Sequence, residues 1–264
     1  MINLRRDGHI HSHYCPHGSN DNIEKYVQEA INIGLEEITF TEHLPLPNEF
    51  KDPSPKKDSA MREEDVLSYI EDIKYLKEKY KSLLKINIGF EIDYIEGYEN
   101  DIKENLNKYG LDIEDAILSV HMIKIGNDYY CIDYSVEEFK KIFKLLGTIE
   151  KVYTKYYETV ILALNSDLGE YKPKRIGHLN LVRKFNKIFP YDYSKSILLE
   201  DIVKLIKDKN YEIDYNISGR IKDQCLESYI SGYLLNLVKK YDIPMVLGSD
   251  SHNVKYIKKY DLME

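Results

Sequence analysis

The chain of 264 residues lacks the features that would indicate a secreted or membrane-bound protein. Its three cysteines, Cys15, Cys131 and Cys225, are odd in number and far apart, which is not the pattern of a disulfide framework. The longest apolar run covers residues 160–164, far short of the roughly 20 residues that a membrane span needs. The first residues, MINLRRDGHI, contain no apolar stretch of the signal-peptide type. We therefore expect a cytoplasmic protein with no membrane contact.

Arginine is scarce as well, since only six of the 37 basic residues are arginines, and the formal net charge is −8. Nucleic acids and anionic membranes bind to clustered positive charge, whereas the lysines of this chain are spread among acidic residues. We therefore expect no nucleic-acid partner. Each of the few arginines becomes a candidate for binding a specific anion.

Short β-rich runs alternate with helical patterns along the chain, which is typical of βα units around a parallel sheet. The strands are predicted at residues 2–9, 37–41, 86–92, 115–120, 175–177, 211–217 and 245–248. The helices are predicted at residues 22–33, 63–80, 98–108, 195–208 and 226–241, with two more within 135–166 that meet near Gly147. This order predicts one α/β domain over residues 1–264, built of seven βα units.

All eight histidines follow predicted strands, at the end where a parallel barrel builds its active site. They are His9, His11, His13, His17, His43, His121, His178 and His252. The same rim carries the acidic residues Asp7, Glu42, Glu91, Asp93 and Asp250. Imidazole and carboxylate groups suit zinc, iron or manganese, and one structural zinc would need only about four of these ligands. The pattern therefore predicts a site for two to three divalent metal ions.

The alternative for any one of these histidines is an ordinary polar or packing role, because a single histidine at a strand end is weak evidence for a metal. The metal interpretation depends on all of them sharing one rim with interleaved acids. A surface or supporting role fits His13 at least as well as metal binding. Packing is the favoured role for Cys15, an isolated thiol among histidines.

Six segments in this order resemble the polymerase and histidinol phosphatase (PHP) family, and within it the histidinol-phosphatase branch. They are DGHIHSHYCPHG, FTEH, GFEIDY, SVH, IGHLNLVRKF and GSDSH, and they extend from residue 7 to residue 252. The resemblance implies a distorted seven-stranded (β/α) barrel with a trinuclear metal centre. It implies a first metal bound by His9, His11 and Asp250, which Glu91 bridges to a second metal held by His121 and His178. A third metal would be held by His17, His43 and His252.

The same resemblance implies a metal-dependent phosphomonoesterase that hydrolyses L-histidinol phosphate to L-histidinol and phosphate in histidine biosynthesis. It implies that Arg183 clamps the phosphate, for which a planar guanidinium is suited. Arg220, Asn216 and Ser218 are further candidates for the substrate pocket, although Arg220 could equally be a solvated loop residue. Asp250 or His252 could move a proton to the leaving alcohol, and the sequence does not choose between them or a water molecule.

Two other functions stay open at this point. The first is a PHP phosphoesterase that acts on another small phosphate ester or on a nucleotide. The second is a non-catalytic metal-binding scaffold, which missing ligands would favour, but all nine ligand positions carry competent side chains. The sequence gives no indication of an oligomeric state.

Overall fold

The computed structural model of the chain describes residues 2–257, so both ends of the predicted domain 1–264 lie outside the described residues. The strands are β1 (Arg6–Ile10), β2 (Glu37–His43), β3 (Lys85–Asp93), β4 (Asp115–Ser119), β5 (Met122–Ile125), β6 (Asp128–Cys131), β7 (Arg175–Ile176), β8 (Glu212–Asn216) and β9 (Met245–Gly248). The helices are α1 (Ile23–Asn32), α2 (Val66–Tyr80), α3 (Glu99–Tyr109), α4 (Val136–Leu146), α5 (Ile149–Asn165), α6 (Ile197–Asp208) and α7 (Gly232–Lys240).

Seven parallel strands form the main sheet in the order β1-β2-β3-β4-β7-β8-β9. The segments that leave β1 and β9 close the sheet into a barrel, because the backbone N–H of Asp250 donates to His9 O at 2.8 Å. The N–H of His11 likewise donates to Ser251 O at 3.0 Å. The predicted distorted (β/α)7 barrel is thereby confirmed, and its closure lies at the end where the strands exit.

The core lies between the barrel and the helices around it. Strands β2 and β3 are buried almost throughout, as parallel strands covered by helices usually are. Tyr26 of α1 packs edge-on against Phe40 of β2, with ring centroids 6.3 Å apart. No helix among residues 2–257 is both long enough and apolar enough to cross a membrane.

The helix pair predicted within residues 135–166 is present, and its capping residues explain where each helix begins. Ser135 accepts a hydrogen bond from the N–H of Glu138 at the start of α4, and Thr148 does the same for Lys151 at the start of α5. Gly147 ends α4 with φ 85°, a left-handed conformation that favours glycine. The two helices therefore meet at Gly147, as predicted.

Three parts of the prediction differ from the structure. The antiparallel hairpin β5–β6 was not predicted, although Gly126 at its turn has φ 65°, the conformation that tight hairpin turns require. The helix predicted at 226–241 begins only at Gly232, and a 3-10 helix, Ser218–Ile221, lies in the segment before it. The first strand begins at Arg6 rather than at residue 2.

Candidate metal centre

The nine predicted ligands converge at the end of the barrel where the strands exit. His9 lies in β1, with His11 just after it, and His43 is the last residue of β2. Glu91 of β3 pairs in register with His43, which puts the two side by side on neighbouring strands. The remaining ligands follow their strands directly: His121 after β4, His178 after β7, and Asp250 and His252 after β9. His17 reaches the same rim from the loop after β1.

Three pairs of imidazole nitrogens point at each other within this rim. The Nε2 atoms are 3.1 Å apart in each of the pairs His9/His11, His121/His178 and His17/His252. Two nitrogens bound to one tetrahedral metal at ordinary bond lengths lie about 3.3 Å apart. Each pair can share a proton at this distance, and the same distance lets both nitrogens bind one metal ion in place of that proton, so these side chains fit metal ions.

The carboxylate of Glu91 lies between two of these pairs. Its Oε2 is 3.2 Å from His9 Nε2 and 3.4 Å from His11 Nε2. Its Oε1 is 2.9 Å from His178 Nε2 and accepts a hydrogen bond from Ser119 Oγ. Because one oxygen faces each pair, this buried carboxylate would be a ligand common to both groups if each held an ion.

Potential ligand atoms of His9, His11 and Asp250 lie within 4.8 Å of one another, as do those of Glu91, His121 and His178. These groups coincide with the first two ligand sets that the resemblance implies. Asp250 has φ 51°, a strained left-handed conformation at a residue whose carboxylate must face His9 and His11.

The third set, of His17, His43 and His252, is more open to the cavity. The Nδ1–H of His17 donates to the backbone oxygen of Asp58 at 2.8 Å, which leaves Nε2 as the free donor to a metal. His43 lies deeper, with its ring centroid 5.4 Å from that of His17. Cys15 is close to His43 and His252, and burial raises the pKa of its thiol to about 12 when no metal is bound.

Buried carboxylates orient several of the histidine ligands. Asp214 Oδ2 lies 2.8 Å from His9 Nδ1, and Asp93 Oδ1 lies 2.5 Å from His121 Nδ1. A proton on each Nδ1 leaves the Nε2 lone pair available to a metal. Sequence reasoning missed Asp214. Its signal was an acidic residue alternating with Asn216 inside a predicted buried strand.

The carboxylates give the site a negative potential that attracts cations. Burial opposes a charged ring at His9, but Glu91, Asp214 and Asp250 raise the pKa of His9 to about 10. Burial likewise opposes a charged His121, while Asp93 and Glu91 raise its pKa to about 10. A site that retains protons so strongly without a metal also favours divalent cations.

A cavity of about 450 Å³ opens above the predicted ligands. Its outer wall carries both signs of charge together with aromatic rings: Lys56, Asp58, Asp133, Tyr134, Lys184, Lys222 and Tyr229. Hairpin β5–β6 leads into Asp133 and Tyr134, and a 3-10 helix, Leu181–Phe185, carries Lys184. The cavity could therefore hold a small molecule that carries charges of both signs.

The substrate residues predicted from sequence fall in different places. Ser218 lines the cavity, and its hydroxyl lies 2.8 Å from Asn216 Oδ1 and 3.1 Å from Asp250 Oδ2, both of which are acceptors. Asn216 is fully buried and donates to Asp214 and Asp250, so it supports the ligands from below. Arg220 donates to Ser228 Oγ at 2.7 Å and does not line the cavity.

Arg183 is not brought into the cavity, contrary to the expectation that it clamps the phosphate. Its Nε donates to Glu227, its guanidinium also donates to Tyr191 O, and it stacks on Tyr193 at 4.3 Å. Neighbouring residues of a 3-10 helix point in different directions, and Lys184 is the residue of this pair that lines the cavity. His13, left without a ligand role, is exposed and contacts the Tyr14 ring at 4.4 Å.

Comparisons with known proteins agree with this architecture. The histidinol-phosphatase of Bacillus subtilis (strain 168) is 45% identical over 250 residues, which cover 94% of this chain and 93% of that protein. A crystal structure from Listeria monocytogenes, described as a proposed histidinol phosphatase, is 36% identical with a TM-score of 0.92, covering 96% of this chain and 97% of that one.

The histidinol phosphate phosphatase of Lactococcus lactis subsp. lactis, solved with zinc, L-histidinol and phosphate, is 24% identical. Its TM-score is 0.71, and the match covers 96% of this chain and 88% of that one. A family model, the PHP domain, matches residues 7–218. The chain belongs to the PHP domain family.

Proposed function

We propose that this chain is a metal-dependent histidinol-phosphatase, which hydrolyses L-histidinol phosphate to L-histidinol and inorganic phosphate. The convergence of the histidine and carboxylate ligands beneath one charged cavity carries the proposal. The Bacillus subtilis relative, aligned over nearly the whole chain, carries that activity in its name.

The proposed metal ligands are the nine residues His9, His11, His17, His43, Glu91, His121, His178, Asp250 and His252. Bound zinc, iron or manganese ions supply positive charge that neutralises phosphate oxygens and lowers the pKa of water toward neutrality. The chain itself contributes the orientation of the imidazoles, through Asp214 and Asp93. It also excludes bulk water from Glu91, which is buried at the base of the cavity.

Besides the metal ions, cationic and hydroxyl groups of the cavity wall would bind the phosphate. Lys184 and Lys222 line the cavity, and the Ser218 hydroxyl faces it beside Asp250. An ammonium group attracts a phosphate dianion as a compact point charge, without the two-point geometry of a guanidinium. We assign this role to the two lysines in place of Arg183.

Proton delivery to the leaving alcohol is assigned to Asp250 or His252. His252 Nδ1 lies 3.5 Å from Asp250 Oδ1, and both residues line the cavity. The proton that reaches the departing oxygen would come from the attacking water, which loses a proton as it adds to phosphorus. Replacement of either residue by alanine should lower kcat, but metal content must be measured alongside because both are also proposed ligands.

The decisive experiment measures phosphate release from L-histidinol phosphate beside glycerol phosphate, AMP and p-nitrophenyl phosphate. We expect kcat/KM to be highest for L-histidinol phosphate, with activity lost on metal removal and restored by zinc or manganese. Equal rates on all esters would contradict the specific assignment but leave a general phosphomonoesterase. Full activity after metal removal would refute the metal-dependent chemistry altogether. His9→Ala is the matched inactive control, because it removes a ligand at the centre of the cluster.

A further inference from the structure

An ion pair lies on the cavity wall above the metal ligands and has no role in the mechanism so far. Lys184 Nζ donates to Asp133 Oδ2 at 2.9 Å, and the two side chains are 23% and 21% exposed. Both residues line the cavity. Lys184 comes from the 3-10 helix after β7, whereas Asp133 follows hairpin β5–β6, so the pair joins two separate segments of the wall.

Asp133 retains one carboxylate oxygen for a ligand. Lys184 occupies Oδ2, and Oδ1 accepts no hydrogen bond from any of residues 2–257. Burial acts to raise the pKa of this carboxyl, but Lys184, His121 and His178 lower it to about 2. The group is therefore a full negative charge in the cavity at neutral pH.

The position of Asp133 suits a cation that is attached close to the phosphate. The backbone N–H of Ile132 donates to His121 O at 2.8 Å, so Asp133, the next residue, lies on the side of the second ligand group. In L-histidinol phosphate, the amine is attached to the carbon next to the one that carries the ester oxygen. A phosphate held at the metal ligands therefore brings the ammonium close to them as well.

The other acidic groups of the cavity are less suited to this cation. Asp93 Oδ1 is hydrogen-bonded to His121 Nδ1, and Asp93 Oδ2 lies 3.8 Å from His43 Nδ1. Glu91 and Asp250 face the imidazole pairs. Asp58 lies in the loop that holds His17 through a backbone oxygen, on the side of the third ligand group. Asp133 is the cavity carboxylate that combines a free oxygen with proximity to His121 and His178.

We propose that Asp133 binds the primary ammonium of the substrate and makes the site selective for phosphate esters of amino alcohols over amine-free esters. Lys184 holds the carboxylate in place and directs its remaining N–H groups toward the phosphate. The inference rests on the proposed function, because it assigns one contact to the same substrate in the same cavity.

The test compares L-histidinol phosphate with its amine-free analogue, imidazolylpropyl phosphate, in the metal-loaded wild type and in Asp133→Asn. Because the variant loses a charge-assisted hydrogen bond to the ammonium, we expect its kcat/KM for L-histidinol phosphate to fall about 10- to 100-fold. The kcat/KM for the amine-free ester should change less than about threefold, since that ester makes no contact with the carboxylate. Asp128→Asn is the matched control, an exposed aspartate on the same hairpin, and should leave both values unchanged.

The outcomes separate this inference from the proposed function. A wild type that does not hydrolyse L-histidinol phosphate would contradict the proposed function and this contact with it. A wild type that hydrolyses it, with an equal loss for both esters in Asp133→Asn or with no loss at all, would overturn the ammonium contact alone. If Asp133→Asn loses metal or fails to fold, the comparison of the two esters in the wild type still tests the inference. Equal kcat/KM for the two esters there would overturn the inference, and a preference for the amine-bearing ester would support it.

Discussion

Asp214→Asn should weaken metal binding although Asp214 is not a proposed ligand. The carboxylate lies 2.8 Å from His9 Nδ1, and both side chains are completely buried, so no water can replace the contact. Asp214 Oδ2 accepts the Nδ1 proton and keeps Nε2 free to bind a metal. An amide can turn its NH2 group toward Nδ1 instead, which favours a proton on Nε2, the atom that faces His11.

Removal of such a supporting partner typically costs 10- to 100-fold in metal affinity, or about 1.4 to 2.7 kcal/mol. The burial of the pair points to the upper half of that range. Competition with a chelator would measure the zinc affinity of the wild type, Asp214→Asn and the exposed control Asp128→Asn. We expect kcat at saturating zinc to recover to within about tenfold of the wild-type value, because the ligand itself remains. A zinc affinity within threefold of the wild type would refute the reasoning, as would a loss that zinc cannot restore.

Four further predictions follow from the same geometry. Gly248→Ala should lower both the zinc affinity and the unfolding temperature, measured by chelator competition and calorimetry, because its Cβ would lie 2.1 Å from Asp214 Oδ1 and 2.8 Å from His9 Cβ. Zinc added to metal-free protein at pH 7 should release protons to an indicator dye, because the pKa values of His9 and His121 lie at about 10 without a metal. Because the pKa values of these two rings are raised on folding, their protonation adds to the free energy of unfolding of the metal-free protein. The contribution is complete below the ordinary pKa of 6.5, and denaturant titrations should show it vanish as the pH rises through about 10. Lys184→Met should weaken inhibition by inorganic phosphate more than Arg183→Met does. Arg183→Met should mainly lower the unfolding temperature, because it breaks the contact with Glu227. A stronger loss of phosphate inhibition in Arg183→Met would contradict the placement of these two side chains.

The barrel could be predicted from the sequence because its signals are local. Each strand of the main sheet was identified from a short β-rich run, and Ser135, Thr148 and Gly147 gave the helix pair its boundaries through contacts within a few residues. The hairpin β5–β6 was missed because its strands are four residues each and only partly buried, so they carry little alternation of apolar and polar residues. The segment before α7 was predicted as helix, but Leu226 has φ 58°, which is not helical, and Tyr229 of this segment lines the cavity.

The gathering of the ligands on one rim could also be predicted, since the exit ends of parallel strands meet on one face whatever the strand order. The partners of those ligands could not. Asp214 and His9 are 205 positions apart, and their side chains meet only because both point from their strands, β8 and β1, into the barrel interior. Their contact depends on Gly248 leaving room between them.

The sequence by itself determined the fold class, the family and the end of the barrel where the histidines collect, because these follow from local patterns and from the fixed direction of parallel strands. Tertiary structure alone decided which side chain of the neighbours Arg183 and Lys184 faces the cavity. That choice depends on partners from distant segments, Glu227 for the arginine and Asp133 for the lysine. Orientation within a short 3-10 helix is set by such contacts, and no periodicity in the chain encodes them.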